Sequence, residues 1–158
     1  MTQRINISQL TPDGYRKVIN LDGYAAANVE PMLRDLINLR VSLINGCTFC
    51  VDMHSVDLQA AGVPDRKIFS VTTWRESTFF TPREKAAFEL AERITLISHG
   101  GVPDDVWERA RNEFTERELA DLVLAIGTIN IWNRVAISTL MPTPPLEQAA
   151  EAAAPVTA

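Results

Sequence analysis

Apolar residues recur every three to four positions in nearly every segment of the chain, which is the period of helices. The pattern predicts a first helix over 11–28 and a second helix that begins at Pro31, since proline suits the first helical turn. Gly46 interrupts the second helix. Its core face comprises the apolar positions 33, 36, 37, 43 and 44.

A third helix is predicted over roughly 47–61. Gly62 is a suitable C-terminal cap for it, and Pro64 prevents its continuation. The stretch "DRKIF", 65–69, predicts a short helix. The following "SVTTW", 70–74, is the one run with a β-strand preference, and it is too short to build a sheet.

Two capping boxes mark the starts of later helices: "TPRE" at 81–84 and "TERE" at 115–118. A further helix is predicted over 103–114, after the break "SHGGVP", and the last over about 116–140. The helix after the first capping box has a predicted inner stripe of Ala87, Leu90, Ala91, Ile94 and Ile97.

The last predicted helix has charges at 116, 117, 118 and 121, and its next charge is Arg134. A helix that is apolar on most sides is buried on most sides. We therefore expect a central core helix, or a helix buried by a subunit contact.

Length and composition indicate a single all-α domain. We predict a domain over 1–141 in the 158-residue chain, followed by a disordered, Ala- and Pro-rich tail over 142–158. The net charge of −5 and the lack of a Lys/Arg cluster argue against nucleic acid and membrane surfaces as partners. No signal-like or membrane-spanning apolar segment is evident, which predicts a cytoplasmic location.

The chain's two cysteines and one of its two histidines lie within the segment "CTFCVDMH". Positions i, i+3 and i+7 share one face of a helix, so Cys47, Cys50 and His54 are expected to point the same way. The helix N-terminus near Cys47 favours a thiolate, and His54 can exchange a proton near neutral pH. A thiolate attacked by peroxide becomes a sulfenic acid, which a second cysteine converts to a disulfide.

Two other interpretations of this segment compete with redox chemistry. Buried cysteines and a core histidine can be inert. A zinc site is the other, with Asp57 as a possible fourth donor beside Cys47, Cys50 and His54. Three ligands along one continuous helix diverge too far to surround a small ion, so redox chemistry is favoured.

Two segments resemble the alkyl hydroperoxidase D-like (AhpD-like) proteins of the carboxymuconolactone decarboxylase superfamily. Residues 35–62, "DLINLRVSLINGCTFCVDMHSVDLQAAG", resemble the core motif of these proteins. Residues 115–138, "TERELADLVLAIGTINIWNRVAIS", are similar to their last core helix. The likeness covers roughly residues 10–141.

The resemblance implies an all-helical homotrimer or homohexamer that reduces organic hydroperoxides. It also implies a proton relay of a glutamate, two cysteines and a histidine. Cys47, Cys50 and His54 match the last three. The glutamate position is Asp35 here, which keeps the carboxylate on an arm shorter by one methylene.

The sequence thus predicts a thiol-dependent alkyl hydroperoxide reductase with peroxiredoxin-type antioxidant activity. His54, supported by Asp35, helps deprotonate a cysteine. Cys50, nearest His54, attacks the peroxide, and a more exposed Cys47 resolves the sulfenic acid. The first cysteine of a C-x-x-C pair often has the lower pKa, so these roles could be swapped. A lipoyl or thioredoxin-like dithiol reductant would regenerate the thiols, and no cofactor or metal is expected.

Other residues are assigned structural roles. Asn133 and Arg134 are expected to form hydrogen bonds across helices or subunits, Trp132 to lie in the core and His99 in a loop. Phe49, between the cysteines, makes the site more apolar, which suits an alkyl or lipid peroxide.

Two other functions remain open from the sequence. One is a carboxymuconolactone decarboxylase-like enzyme acting on a small lactone, against which the C-x-x-C pair counts. The other is a non-enzymatic thiol sensor or zinc-binding module.

Overall fold

A computed structural model describes residues 2–145 of the chain, and within them every regular element is helical. The prediction of an all-α fold is confirmed. The α-helices are α1 (Ile7–Leu10), α2 (Pro12–Asn28), α3 (Pro31–Asn45), α4 (Thr48–Ala60), α5 (Asp65–Phe69), α6 (Pro82–Thr95), α7 (Asp104–Glu113) and α8 (Glu116–Thr139).

The ends of α3 and α4 follow from local chemistry. The Glu30 carboxylate caps α3 by accepting hydrogen bonds from the backbone N–H groups of Met32 and Leu33, at 3.1 and 2.7 Å. Gly46 ends α3 with φ of 73°, and Gly62 follows α4 with φ of 79°. Side-chain-bearing residues rarely adopt this left-handed conformation, so both predicted glycine stops are confirmed.

Both predicted capping boxes are present. Before α6, the Thr81 hydroxyl accepts from the Glu84 backbone N–H at 3.2 Å, and the Glu84 carboxylate accepts from the Thr81 backbone N–H at 2.7 Å. Thr115 and Glu118 form the same reciprocal pair before α8. Each box satisfies backbone donors that a helix start leaves unpaired.

Some local predictions are wrong. The β-leaning run contains a short 3-10 helix, Ser70–Thr73. Ile97 is 57% exposed and is not part of the inner stripe of α6. The reason is that α6 ends at Thr95, so Ile97 lies in a separate 3-10 turn that no longer follows the periodicity of α6. Helix α1 was not predicted.

Helix α3 is the centre of the fold, because it packs against α4, α6 and α8. Its residues Leu36, Ile37 and Val41 are fully buried. Helix α2 packs on α8. The redox motif at the start of α4 is thus held against α3 on one side and the end of α8 on the other.

Helix α8 is only partly buried. Among the described helices it is the one long and apolar enough to cross a membrane, but half of its most apolar stretch is buried inside the fold, as in a core helix. Its outer face exposes 37–42% of Val123, Leu124, Ile131 and Ile137. Burial on most sides is therefore not found in the single chain, and a homo-oligomer that covers this face stays a prediction.

The predicted tail over 142–158 falls mostly outside the described residues, which end at residue 145. Residues 142–145 form no helix or strand. The domain boundary at residue 141 stays a prediction.

Candidate redox site

The two cysteines lie at the first turn of α4. Cys47 is the N-terminal cap, and its Sγ accepts a hydrogen bond from the Cys50 backbone N–H at 3.4 Å. The two sulfurs are joined in a disulfide, with Cα atoms 5.4 Å apart. The spacing of three residues brings the cysteines together because consecutive turns of a helix stack their side chains on one face.

Cys47 is not the more exposed cysteine, contrary to prediction. Cys47 is 1% exposed and Cys50 is 2% exposed. Both are buried because they pack against Ala136 of α8, with Phe49 and Met141 beside them. The two cysteines differ in which cavity each of them lines.

Cys50 lines a cavity of ≈ 400 Å³, here called the Cys50 cavity. Its wall is mainly apolar, with Arg34, His54 and Asp57 among its polar groups. Trp132, predicted to be a core residue, lines this cavity and also packs edge-on against Tyr15 at a centroid distance of 5.1 Å. The remaining lining residues are Ile19, Asp22, Asn38, Phe49, Met53, Ile129, Val135, Ala136 and Met141.

Cys47 lines a different space of ≈ 440 Å³, here called the Cys47 groove. Gly46 and Thr48 of the α3–α4 turn form one side of this groove, and the end of α8 with residues 140–143 forms the other. Phe49 borders both spaces. Cys50 therefore lines one opening and Cys47 the other.

His54 lies one turn beyond Cys50 and is buried, with 6% exposure. Neither of its ring nitrogens has a hydrogen-bond partner among the described residues. Its Nδ1 lies 3.8 Å from Asp35 Oδ1 and 3.8 Å from Asp57 Oδ2. Both distances exceed the hydrogen-bond range, so the imidazole faces two carboxylates without contacting either.

The electrostatics of this group follow from burial. Burial lowers the pKa of His54 to about 4, with Asp35 opposing the shift and Arg34 adding to it. Burial, with the nearby charge of Asp35, raises the pKa of Asp57, and Arg34 opposes that shift. At neutral pH the imidazole is uncharged and has a free lone pair.

Asp35 is held near His54 by the packing of α3 on α4. It is 9% exposed, and its Oδ1 lies 3.2 Å from Arg34 Nη2. The sequence could not place it there, because the Gly46 turn changes the chain direction between the two helices. The structure thus places Asp35 beside His54 and joins Cys47 to Cys50, and the two pairs are linked because His54 and Cys50 line the same cavity.

A buried amide network lies behind the cysteines. The Asn45 amide donates to Asn133 Oδ1 at 2.8 Å and to Asn130 Oδ1 at 3.0 Å, while Asn133 donates to Ser42 Oγ at 3.0 Å. The prediction of cross-helix bonds is therefore confirmed for Asn133. Within the chain, Arg134 instead donates to the carbonyl and side chain of Asn130 on α8 itself, so a bond across subunits stays a prediction for Arg134.

Asn45 and Asn130 belong to this network, and sequence reasoning missed both. Two amides on different helices carry no pairing signal in a single sequence. The network joins α3, which carries Asp35, to the part of α8 that covers the cysteines.

The structure also bears on the predictions made for His99 and for a zinc site. His99 is exposed in a short 3-10 turn, Ile97–His99, rather than in an irregular loop. The zinc site built on both thiolates is incompatible with the disulfide, because a disulfide sulfur is not a thiolate ligand.

Comparisons with known proteins agree with this picture. Residues 12–93 match the carboxymuconolactone decarboxylase family. The uncharacterized protein YdfG of Bacillus subtilis (strain 168) is 40% identical over 139 residues, which cover 87% of this chain and 95% of YdfG.

Solved structures show the same fold. A protein of unknown function from Agrobacterium tumefaciens, named "Putative Antioxidant Defence Protein AhpD", has 36% identity and a TM-score of 0.88 over 91% of this chain and 99% of its own. The debrominase Bmp8, with bound 2,3,4-tribromopyrrole, has a TM-score of 0.79 over 92% of this chain and 79% of its own. At 15% identity Bmp8 shares the fold alone.

Fold and site together define an all-α protein of the AhpD-like type with a buried C-x-x-C disulfide. The chain belongs to the carboxymuconolactone decarboxylase family. The family is named for a decarboxylase, whereas Bmp8, which shares the fold, is a debrominase, so the fold by itself does not decide the reaction.

Proposed function

We propose that the protein is a thiol peroxidase that reduces alkyl hydroperoxides through Cys50 and Cys47. The observation that carries this proposal is the joined cysteine pair, with Cys50 lining a largely apolar cavity that it shares with His54. A thiol that meets the substrate, a second thiol in bonding distance and a neutral imidazole are the groups that the reaction needs.

The reaction balances with these groups alone. The Cys50 thiolate attacks the terminal peroxide oxygen, the O–O bond breaks, and the alkoxide leaves as an alcohol after it takes a proton. The resulting Cys50 sulfenic acid reacts with the Cys47 thiol, which gives the disulfide and one water. A dithiol reductant then transfers two electrons by thiol–disulfide exchange and becomes a disulfide itself.

The two openings suit separate roles for the two sulfurs. The peroxide would enter the Cys50 cavity, whose apolar wall favours an alkyl chain. The reductant would reach Cys47 through the Cys47 groove, from the other side. A lipoyl or thioredoxin-like dithiol is the proposed reductant. Its first thiol can open the Cys47–Cys50 disulfide, and its second thiol can then resolve the mixed disulfide and free the reductant.

The charges around the Cys50 cavity indicate which peroxides it accepts. Asp22 and Asp57 line it, and the single cation among its described lining residues is Arg34, which also contacts Asp35. An anionic hydroperoxide would meet net negative charge. We therefore propose neutral, apolar alkyl hydroperoxides as the substrate class.

Intact mass spectrometry tests the proposed function. The reduced protein is mixed with a slight excess of cumene hydroperoxide, and one molecule of cumyl alcohol and the loss of two hydrogens from the protein are expected. Adding a dithiol should then restore the reduced mass and allow further turnover. Thiols that oxidise but no dithiol can reduce would indicate a sensor, and thiols inert to peroxide would contradict the proposal.

Asp35 provides a graded test of the proposed relay. Asp35→Glu lengthens the arm toward His54 Nδ1, now 3.8 Å away, so a direct hydrogen bond can form and peroxide-dependent oxidation should be several-fold faster. Asp35→Asn removes the carboxylate that accepts a proton in the proposed relay and should slow the reaction roughly 10-fold. Stopped-flow fluorescence would give both rates.

The opposite signs expected for the two Asp35 variants separate a relay from a structural role. A residue needed only for packing should slow the reaction in both variants, together with a lower melting temperature. Equal rates in Asp35→Glu, Asp35→Asn and the unmodified protein would contradict a role for Asp35.

A further inference from the structure

Three potential metal ligands meet where α3 faces α4, at the edge of the Cys50 cavity. One carboxylate oxygen of Asp35, one of Asp57 and a ring nitrogen of His54 all lie within 4.8 Å of one another. Asp35 comes from α3, whereas His54 and Asp57 are one turn apart on α4. Ligands from two helices converge on a point, which three ligands on one helix cannot do.

The spacing of these ligands suits a single small ion. His54 Nδ1 lies 3.8 Å from each carboxylate. A first-row divalent ion has metal–nitrogen and metal–oxygen distances of about 2.1 Å, so it can bridge ligand atoms up to about 4.2 Å apart. The two 3.8 Å gaps from His54 Nδ1 are too long for hydrogen bonds and short enough for one ion. The two carboxylate oxygens lie within 4.8 Å of each other, so a small rotation of one carboxylate would bring all three ligand atoms onto the ion.

The state of His54 is a second, independent sign of a missing partner. The side chain is 6% exposed, and both ring nitrogens lack a hydrogen-bond partner among the described residues. A buried polar group without a partner costs about 1–3 kcal/mol, so such groups normally have one. Nδ1 faces the two carboxylates, and an ion there would satisfy it.

The local charges also favour a cation. Asp35 and Asp57 contribute two negative charges, and among the described residues the one cation in contact with them is Arg34, whose Nη2 lies 3.2 Å from Asp35 Oδ1. Arg34 opposes cation binding, but it leaves one negative charge uncompensated. Two carboxylates and an imidazole form a mixed oxygen and nitrogen donor set, which suits zinc and related transition metals.

We propose that Asp35, His54 and Asp57 form a binding site for a first-row divalent metal ion such as Zn²⁺. The donor set uses neither cysteine, so it differs from the thiol-based zinc site considered from the sequence. Three protein ligands leave coordination positions open toward the Cys50 cavity. The site does not depend on the proposed peroxidase activity.

Isothermal titration of the disulfide form with ZnCl₂ tests the site, because oxidised cysteines cannot contribute thiolate ligands. The protein is first treated with EDTA and desalted. One Zn²⁺ per chain is expected. With CoCl₂, the visible spectrum should show a bound ion without sulfur charge-transfer bands.

Three variants make the test specific. Asp57→Asn removes one partly exposed ligand and should weaken Zn²⁺ binding at least about 10-fold. Asp52→Asn makes the same charge change on another side of α4, outside the cluster, and should leave binding unchanged. Arg34→Gln removes the opposing cation and should tighten binding.

The proposal would be overturned by the absence of saturable binding, which would leave a water molecule as the partner of His54. Equal affinities in the Asp57→Asn and unmodified proteins would overturn it too, since binding would then lie elsewhere. Neither result bears on the peroxidase proposal, which the peroxide and dithiol reactions decide separately.

Discussion

Replacing Cys50 with serine is expected to abolish peroxide-dependent oxidation of a dithiol, with a loss of more than about a thousandfold. A serine hydroxyl cannot accept the peroxide oxygen and leave a resolvable intermediate. Cys50 is the cysteine that lines the mainly apolar Cys50 cavity together with His54. Coupled measurement of dithiol consumption with cumene hydroperoxide would give the rate.

The matched variant, Cys47→Ser, is expected to react once and stop. Its Cys50 should gain one oxygen atom, which intact mass spectrometry detects, because no thiol remains to resolve the sulfenic acid. Turnover should be lost in both variants, so the oxygen gain is the result that assigns the roles.

The competing assignment has a physical basis of its own. Cys47 Sγ accepts a backbone N–H at the start of α4, where the helix dipole favours a thiolate. If Cys50→Ser gained the oxygen and Cys47→Ser did not, Cys47 would be the sulfur that attacks peroxide. The proposed entry of peroxide through the Cys50 cavity would then be wrong.

Removing the Glu92 side chain is expected to produce a large loss of stability, about 3 kcal/mol in the free energy of unfolding. Glu92 is 8% exposed and accepts hydrogen bonds from Arg40 at 2.9 Å and the Trp74 indole at 2.7 Å, with Arg75 also paired to it. In Glu92→Ala, Arg40 and the buried indole lose their shared acceptor. Thermal denaturation should show a melting temperature lower by roughly 10 °C.

Glu89→Ala is the control for Glu92. Glu89 also lies on α6 and pairs with an arginine, Arg109, at 2.8 Å, but that guanidinium is about half exposed. An exposed ion pair contributes less than about 1 kcal/mol, so a small change is expected. Equal losses of stability in the two variants would show that the buried network contributes no more than an exposed ion pair.

The stability of the protein at low pH should depend on the same Glu92 network. Burial raises the pKa of Glu92, but the hydrogen bonds from Arg75, Trp74 and Arg40 outweigh it, so the folded-state pKa is lowered. The stabilisation is therefore complete above the ordinary glutamate pKa and is lost as the pH falls through the lower, folded-state value. Glu92→Gln should lack this part of the acid-induced loss of stability.

Much of the fold could be predicted from local sequence signals. Pro31 and Gly46 bound α3, and Thr81 and Thr115 begin α6 and α8 through side-chain bonds to residues three positions later. These interactions span one helical turn, so they are readable from neighbouring letters. The prediction for Ile97 was wrong because the periodic pattern continues past the point where the helix ends.

In the candidate site, too, local features could be predicted from the sequence and contacts between helices could not. The common face of Cys47, Cys50 and His54 follows from spacing on one helix. The burial of both cysteines depends on where α8 and Phe49 pack, and the Asn45–Asn133 bond joins residues 88 positions apart. No local pattern encodes these contacts.

The sequence by itself determined that this is an all-α AhpD-like chain, where most of its helices begin and end, and that its cysteines and histidine share a face. Only the tertiary structure decided that Asp35 lies 3.8 Å from His54, that Asp57 faces the same nitrogen and that each cysteine lines its own opening. The physical reason is the range of the interactions along the sequence. Hydrogen bonds within a turn fix a helix, whereas the packing of separate helices against a shared core fixes which of their side chains meet.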